Sequence, residues 1–282
     1  MSTITDAVKR HPIVTFLLVT FGWSLGADAI AYSLYGRSPP TLAIVVRAWG
    51  PLVGALVTAG LSDASVRDLL GQVRRLRHAP RYYLVALTVP ILFNSAGAVV
   101  YVASGVDVKL LNVSPVSFVV SFLVVLLLAG GLEEFGWRGF MQPRLQREYA
   151  AGTAAVVTGL AWVLWHSTFF AVFDFQRYLS SVEGFTIYLV EIVAFSVLLA
   201  WIYNKTSGGL ALALVMHAAH NWGPLIVPAD TAPGGVERLA EFAPPVAAVV
   251  VVVVIVAVDG WERLADSSPD PDVGRAPATA DD

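Results

Sequence analysis

One hydrophobic stretch of the chain carries three ionisable side chains that could do chemistry. The sequence GLEEFGWRGF, residues 131–140, follows a strongly apolar run and holds Glu133, Glu134 and Arg138. One ionised side chain at the centre of a membrane helix costs about 2.5–3.5 kcal/mol on insertion scales. Three such groups together therefore mark either a site or the place where a helix leaves the membrane.

Two further apolar stretches carry imidazole and amide groups. AWVLWHSTFF contains Trp162 and His166, and MHAAHNWG contains His217, His220 and Asn221. Residues four apart share one face of a helix, so Trp162 lies with His166, and His217 lies with Asn221. His220 falls on a neighbouring face of the second helix.

The same helical spacing separates the two glutamates of the first stretch. Glu134 is four residues before Arg138, so its carboxylate can pair with the guanidinium. Glu133 is turned about a third of the way around the helix and is freer to face a cavity. Taken alone, the pair of Glu134 and Arg138 is also what a purely structural buried ion pair would look like.

These residue types in combination point to hydrolysis. A carboxylate and a neutral imidazole that share one water can act as general bases, and an imidazole with an amide can stabilise an oxyanion. The same groups could hold zinc, although no HExxH motif occurs in the chain. Singly, His166 could be a packing residue and Asn221 a hydrogen bond between helices. Polar groups on three separate helices favour a common site.

The composition sets the class of protein. Of 282 residues, 56% are hydrophobic and only 14% are charged, compared with about 25% charged residues in soluble domains. We therefore predict a polytopic membrane protein in contact with the lipid bilayer. The net charge of −3 says little, but the absence of a basic domain argues against nucleic acid as a partner. The absence of cysteine excludes disulfides, thiolate metal sites and a cysteine nucleophile.

The hydropathy predicts an all-α bundle of about eight transmembrane helices, because about 20 apolar residues are needed to cross the bilayer. The predicted spans are 11–35, 43–61, 82–104, 115–136, 152–173, 184–203, 208–227 and 241–260. Residues 1–261 then form one membrane core, with the motifs in 115–225. Residues 262–282 are rich in acidic residues and proline, and we predict a disordered cytoplasmic tail.

The distribution of basic residues predicts the orientation. With an internal N-terminus, the predicted internal segments carry Lys9, Arg10, Arg67, Arg74, Arg75, Arg77, Arg81, Arg138, Arg144, Arg147, Lys205, Arg263 and Arg275. The external segments carry Arg37, Arg47, Lys109, Arg177 and Arg238. By the positive-inside rule both termini are cytoplasmic, and we expect a multi-pass protein of the cell membrane. Within the internal segments, residues 62–83 fit either an amphipathic surface helix capped by Ser65 or a plain basic loop.

The three stretches together resemble a known family. EEFGWR matches the EExxxR motif of the CPBP intramembrane proteases, the CAAX-protease and bacteriocin-processing group, also called the Abi family. WVLWH stands where that family has FxxxH, with Trp162 in place of phenylalanine, and HAAHN fits its HxxxN motif. The motifs occur in the family's order, each on a separate predicted span, and the resemblance covers about residues 115–225.

The resemblance implies a helical core with a conical cavity that is open to the cytoplasmic side and to the membrane. It further implies roles for the motif residues. Water is activated by Glu133, Glu134 and His166; the oxyanion is stabilised by His217 and Asn221; Arg138 orients Glu134; Trp162 shapes the cavity wall; and His220 has no assigned role. Activity, by this resemblance, is hydrolysis of a peptide bond in a membrane-associated peptide or protein.

The cofactor and the substrate stay open at this point. A zinc site would draw on Glu133, His166 and His217, whereas a glutamate–histidine site needs no metal, and we favour the metal-free mechanism. Neither a prenyl pocket nor a particular peptide can be read from the sequence. The alternatives are a non-catalytic immunity or scaffold protein, which would be expected to have lost a motif residue, and a secondary transporter, which would usually show internal repeats.

Overall fold

The structure is a computed structural model, which describes residues 2–173 and 181–265. These residues are almost entirely helical, as the hydropathy predicts. In chain order, the α-helices are α1 (Ser2–Arg10), α2 (Pro12–Tyr35), α3 (Thr41–Ala48), α4 (Gly50–Leu61), α5 (Val66–Gly71), α6 (Pro80–Asn94), α7 (Gly97–Ala103), α8 (Pro115–Leu128), α9 (Gly130–Gly136), α10 (Gln142–Leu145), α11 (Ala151–Val172), α12 (Val182–Lys205), α13 (Leu210–His220), α14 (Gly234–Glu241) and α15 (Ala243–Asp259).

Within the described residues, six helical segments are long and apolar enough to cross a membrane. They are Pro12–Tyr35, Thr41–Leu61, Pro115–Leu145, Ala151–Val172, Val182–Lys205 and Gly234–Asp259. The pair α6 and α7 makes a seventh if it is counted as one span bent by 44°. The bend follows Pro90, which removes a helical hydrogen bond inside α6. The all-α multi-pass bundle is therefore confirmed.

The span predicted at 208–227 is shorter than expected. Its helix, α13, has 11 residues, which is about 16 Å of rise and too little for a core of about 30 Å. After it the chain turns at Gly223, whose φ is +68°, and continues to Pro224. Leu212, Ala213 and Met216 are fully buried. Neighbouring helices thus cover α13, and its apolar sequence reflects burial in protein.

A short antiparallel ladder joins two connections at one end of the bundle. Strand β1 (Val108–Leu110) pairs with β2 (Ile226–Pro228), with Lys109 opposite Val227. This ladder is not predictable from the sequence, because three-residue strands leave no recognisable alternation. It holds the α7–α8 connection against the α13–α14 connection. We call this end, with the connections 36–40, 104–114 and 221–233, the strand end.

The opposite end, which we call the basic end, comprises the connections 62–79, 146–150, 206–209 and 260–265. It is held together by the ion pair of Lys9 with Asp63, at 2.6 Å, and by that of Lys205 with Asp259. Arg75 also donates to the carbonyl oxygen of Ser207, at 2.5 Å. Successive spans therefore alternate between the two ends.

The connection 62–79 contains less helix than an amphipathic helix over 62–83 would have. Ser65 accepts a hydrogen bond from the backbone N–H of Asp68, at 3.1 Å, as the predicted cap requires. Helix α5 nevertheless ends at Gly71 and continues only as a single 3₁₀ turn to Arg74. Leu69 packs into the core, whereas Leu76 is more than half exposed. The segment is thus a short capped helix followed by a basic loop.

The predicted tail begins in contact with the bundle. The backbone N–H of Ala151 donates to the carbonyl oxygen of Glu262, at 2.9 Å, and Leu264 is fully buried. Residues 266–282, where most of the predicted disordered tail falls, lie outside the described residues.

The segment that carries the EExxxR motif is broken twice. Helix α8 ends at Leu128, and Ala129 has an irregular backbone with φ −131° and ψ −117° before α9 begins. A π-helical turn then runs from Trp137 to Met141. Such turns occur often at functional sites. Helix α8 contributes no buried residue, whereas α9 and the π-turn are almost wholly buried, so the break marks the passage into the core.

Candidate active site

A cavity of about 920 Å³ lies between the helices at the level of the motifs. Its wall includes residues of all three motif stretches, namely Glu133, His166 and Asn221, with His220 beside them. Most of the remaining wall is apolar and comes from α3, α7, α8, α11, α12, α14 and the connection after α13. Glu134, Arg138, Trp162 and His217 do not line it but lie behind the wall.

Glu133 lies on α9 and is only 4% exposed. Its Oε2 accepts a hydrogen bond from Nε1 of Trp162, at 2.9 Å. A bond from a neutral donor to a carboxylate is among the stronger hydrogen bonds in proteins. The indole of Trp162 therefore fixes the position of the one motif glutamate that lines the cavity.

This contact gives the tryptophan of the second motif a role that the sequence analysis does not foresee. A phenyl ring could fill the space behind the wall but could not donate to Glu133, because it has no N–H group. Trp162 is 1% exposed and packs edge-on against the ring of His217, with centroids 5.0 Å apart. Tryptophan at the position where the family pattern has phenylalanine thus adds a hydrogen bond to Glu133.

His166 lies one helical turn after Trp162 on α11, and its side chain lines the same cavity as Glu133. Its Nδ1 lies 3.2 Å from the carbonyl oxygen of Trp162, and its ring packs against Trp165, with centroids 4.7 Å apart. If Nδ1 carries the proton that this carbonyl accepts, the lone pair of the neutral ring is on Nε2. Trp162 therefore contacts both Glu133, through its indole, and His166, through its backbone.

Behind the cavity lies a fully buried polar network centred on Glu134. Its Oε1 is 2.6 Å from Nδ1 of His217, and Nη1 of Arg138 is 3.1 Å from Oε2 and 3.3 Å from Oε1. Only the contact to Oε1 has hydrogen-bond geometry. Arg138 also donates to the hydroxyl of Ser196, at 2.9 Å. The pairing of Glu134 with Arg138 that the helical spacing predicts is present.

Gly130 brings the third motif to the start of α9. A Cβ atom built on Gly130 would lie 2.8 Å from Nε2 of His217 and 2.5 Å from Nδ2 of Asn221. Two nitrogen atoms of the HxxxN motif thus converge on one small space that only glycine leaves open. Asn221 ends α13, where its backbone N–H donates to the carbonyl oxygen of His217.

Two further polar contacts at the cavity have no assigned role in the family pattern. Nε2 of His220 lies 3.9 Å from Oε1 of Glu191, and its ring stacks on Phe195 with centroids 4.1 Å apart. Asn94 donates to the carbonyl oxygen of His220, at 2.8 Å. These contacts hold the last turn of α13 against α6 and α12.

Arg47 is a cavity residue that the sequence analysis counts only as an external basic residue. It is 4% exposed, and its Nε donates to Asp28, at 3.1 Å. Its Nη2 donates to the carbonyl oxygen of Trp165, at 2.6 Å, and its guanidinium lies 4.0 Å from that indole ring. The signal was available, since a carboxylate such as Asp28 inside a span requires a partner, and Arg47 is the basic residue of the next span.

The predicted zinc ligands are not arranged as a metal site in this structure. Among the described residues, no group of three histidine, aspartate or glutamate side chains is placed to hold a metal ion. Nδ1 of His217 contacts Glu134, and Oε2 of Glu133 accepts from Trp162. Zinc held by Glu133, His166 and His217 and the metal-free mechanism therefore both stay predictions.

Comparisons with known proteins support the family resemblance that the three motifs indicate. Residues 115–223 match the family described as Type II CAAX prenyl endopeptidase Rce1-like. CAAX prenyl protease 2 of Methanococcus maripaludis is 29% identical over 101 residues, which are 35% of this chain and 37% of that protein. The chain is thus aligned with little more than a third of this curated relative. The matched segment contains all three motifs, so the predicted resemblance of residues 115–223 to the CPBP intramembrane proteases is confirmed.

Proposed function

We propose that the protein is an intramembrane endopeptidase that hydrolyses a peptide bond with a water molecule activated by Glu133 and His166. The observation that carries this proposal is the position of Glu133. Its carboxylate lines the cavity, is held by Trp162 at 2.9 Å, and shares the cavity wall with His166. A base and an imidazole in the wall of one cavity are the elements that hydrolysis by an activated water requires.

The reaction we propose uses these groups in sequence. Nε2 of His166 accepts a hydrogen bond from the water, and Glu133 accepts the proton as the water oxygen bonds to the peptide carbonyl carbon. When the carbon–nitrogen bond breaks, Glu133 returns this proton to the leaving amine. The products are a new carboxylate and a new amino terminus, and no metal takes part in any step.

The oxyanion formed in the first step needs hydrogen-bond donors. Nδ2 of Asn221 and Nε2 of His217 converge beside Gly130, and we propose that they supply these donors. If Nδ1 of His217 donates to Glu134, Nε2 can donate as well only when both ring nitrogens carry protons. Glu134, 2.6 Å from this ring, fixes its orientation. Glu134 and Arg138 thus act as positioning residues behind the cavity rather than as bases, which differs from the role that the resemblance implies for Glu134.

The substrate we propose is a membrane-associated peptide or protein. The cavity wall is mostly apolar, with Val124, Val125, Phe169 and Phe170 near the polar groups, so it can accept apolar side chains or a lipid group. The family description and the relative's name refer to CAAX prenyl substrates. A prenylated peptide is therefore the first probe to use, with its unprenylated counterpart beside it.

The test is cleavage of two fluorescence-quenched peptides by purified protein in proteoliposomes, one with a farnesylated cysteine near its C-terminus and one without. We expect wild-type protein to cleave at least one peptide and Glu133→Gln to cleave neither. The matched control is Glu148→Gln, which changes an exposed glutamate at the basic end and should cleave like wild type. Equal cleavage by Glu133→Gln and wild type would refute the proposed base. No cleavage of either peptide by wild type would favour a non-catalytic immunity or scaffold protein.

A further inference from the structure

The second strand of the ladder, β2, lies in the wall of the cavity. Its three residues, Ile226, Val227 and Pro228, all line the cavity, whereas none of the three residues of β1, which the structure also describes, does so. Successive side chains of a strand point to opposite faces of a sheet. A face turned towards the cavity would contribute alternate residues only. Three consecutive lining residues therefore indicate that the cavity meets the edge of β2.

Hydrogen bonds on both sides of the ladder fix its pattern. The N–H of Leu111 donates to the carbonyl oxygen of Leu225, at 2.8 Å. On the other side, the N–H of Ala229 donates to the carbonyl oxygen of Asp107, at 2.7 Å. In an antiparallel pair, residues that hydrogen-bond across the ladder alternate with residues that do not. The first and third residues of β2 therefore direct their backbone groups away from β1.

These two residues are Ile226 and Pro228, which lie opposite Leu110 and Val108 of β1. Within the described part of the chain, the backbone N–H and carbonyl oxygen of Ile226 and the carbonyl oxygen of Pro228 have no hydrogen-bond partner. Pro228 offers no donor, because proline lacks the N–H group. The edge of β2 thus presents one donor and two acceptors.

The cavity wall is continuous from this edge to the proposed oxyanion site. Between Asn221 and Ile226 the chain turns at Gly223, which also lines the cavity. Five residues of chain span at most about 18 Å, so the two positions are close. Glu133 and His166 lie in the same wall. A peptide bound along the edge of β2 would therefore reach the reacting groups within a few of its own residues.

A peptide that enters this cavity needs hydrogen-bond partners for its backbone. Every peptide group carries a donor or an acceptor that is costly to leave unpaired away from water. Most of the cavity wall is apolar and supplies none. The exposed edge of a sheet supplies them to any peptide sequence, because an extended peptide can add to it as a further strand.

We infer that the edge of β2 is a peptide-binding subsite, at which the substrate adds to the ladder as a third, extended strand. The N–H of Ile226 donates to a carbonyl oxygen of the peptide, and its carbonyl oxygen accepts from a peptide N–H. The carbonyl oxygen of Pro228 accepts from a second peptide N–H. The subsite deepens the proposed function and rests on it in one respect, namely that the bound peptide is the substrate.

Two proline substitutions form a matched test of this edge. Ile226→Pro removes the N–H group that faces the cavity. Leu110→Pro removes the corresponding N–H group from the opposite edge, since Leu110 is the direct partner of Ile226 in the ladder and is 75% exposed. Neither change removes a hydrogen bond of the ladder. Ile226→Val, which keeps the N–H group, is the control for the side chain.

The measurement is steady-state cleavage of the quenched peptide in proteoliposomes, with melting curves recorded for each variant. We expect Ile226→Pro to raise KM about 2-fold to about 12-fold, which is the worth of one backbone hydrogen bond. Leu110→Pro and Ile226→Val should stay near the wild-type value. A wild-type KM in Ile226→Pro, or an equal rise in both proline variants, would overturn the inference.

A second measurement leaves the protein unchanged and alters the peptide. Each backbone N–H of the cleaved peptide would be replaced in turn by N-methyl, which removes a donor and keeps every side chain. Only alternate residues of an added strand face β2. We expect wild-type KM to rise at two positions that lie two residues apart and not at the position between them. Equal effects at adjacent positions, or no effect at any position outside the scissile bond, would overturn the inference.

Binding separates this inference from the proposed function. Fluorescently labelled forms of the farnesylated and unfarnesylated peptides would be titrated with Glu133→Gln protein, and the anisotropy would be followed with and without Ile226→Pro. We expect the additional substitution to weaken binding by the same factor as it raises KM. If the peptides bind in this way but wild type cleaves neither, the proposed function fails and the subsite stands. Binding that ignores Ile226→Pro, or no binding of either peptide, would overturn the subsite.

Discussion

Replacing Trp162 by phenylalanine tests the contact that distinguishes this site from the family pattern. The change keeps an aromatic ring behind the cavity wall and removes the N–H group that donates to Oε2 of Glu133, at 2.9 Å. Trp162 does not line the cavity, so the substrate does not contact it directly. We therefore expect the substitution to lower kcat while leaving KM close to the wild-type value.

The size of the effect follows from the type of hydrogen bond. A hydrogen bond to a charged group is worth about 1.5–3 kcal/mol, and each 1.36 kcal/mol of transition-state stabilisation is a factor of ten in rate. If the bond is lost from the transition state in full, kcat falls about 10-fold to about 150-fold. The loss of packing lowers the melting temperature in addition.

A matched control separates the hydrogen bond from the packing. Trp137 is also fully buried, and within the described residues its Nε1 has no hydrogen-bond partner. Trp137→Phe therefore removes the same volume of side chain without removing a hydrogen bond. The assay is steady-state cleavage of the quenched peptide by both variants, with melting curves measured in parallel. Wild-type kcat in Trp162→Phe, or the same loss of kcat in both variants, would refute the reasoning.

Three further perturbations test other parts of the site. Arg138→Ala leaves the buried carboxylate of Glu134 without its guanidinium, so we expect a loss of about 3–5 kcal/mol of stability, seen as a lower melting temperature together with lost activity; wild-type melting with no activity would point to a direct role for Arg138 in the reaction. Gly130→Ala puts a methyl group into the space between His217 and Asn221, and we expect cleavage to be lost. The control is Gly26→Ala, where an added Cβ meets no other atom, and this variant should cleave normally. Full activity of the Gly130 variant would contradict the oxyanion site. For the metal, we expect active purified protein to contain no stoichiometric zinc and to keep its activity through chelation; loss of activity on chelation and its return with zinc would overturn the metal-free mechanism.

The features that the sequence predicted are those set by local spacing and by hydropathy. The pairing of Glu134 with Arg138 depends only on a separation of four residues in a helix, and it is present. The long spans follow from runs of apolar residues, and they are present at nearly the predicted positions. The length of the span at α13 was overestimated, because a helix buried by other helices is as apolar as one buried by lipid.

The features that the sequence could not predict depend on contacts between distant residues. The hydrogen bond that fixes Glu133 comes from Trp162, 29 residues later in the chain, and the break at Ala129 comes just before α9. The partnership of Arg47 with Asp28 and Trp165 brings together three helices. Hydropathy and spacing do not identify which distant residues pair, although an aspartate inside a membrane span indicates that it has a partner.

The most direct test of the central claim is the fate of the water oxygen in the products. Purified wild-type protein and Glu133→Gln would each be incubated, in ¹⁸O-labelled water, with the peptide that the wild type cleaves. The fragments would then be analysed by mass spectrometry. We expect wild type to place one ¹⁸O atom in the carboxylate of the newly formed C-terminus, and Glu133→Gln to form no such fragment. Formation of the labelled fragment by Glu133→Gln at the wild-type rate would contradict the assignment of Glu133 as the base.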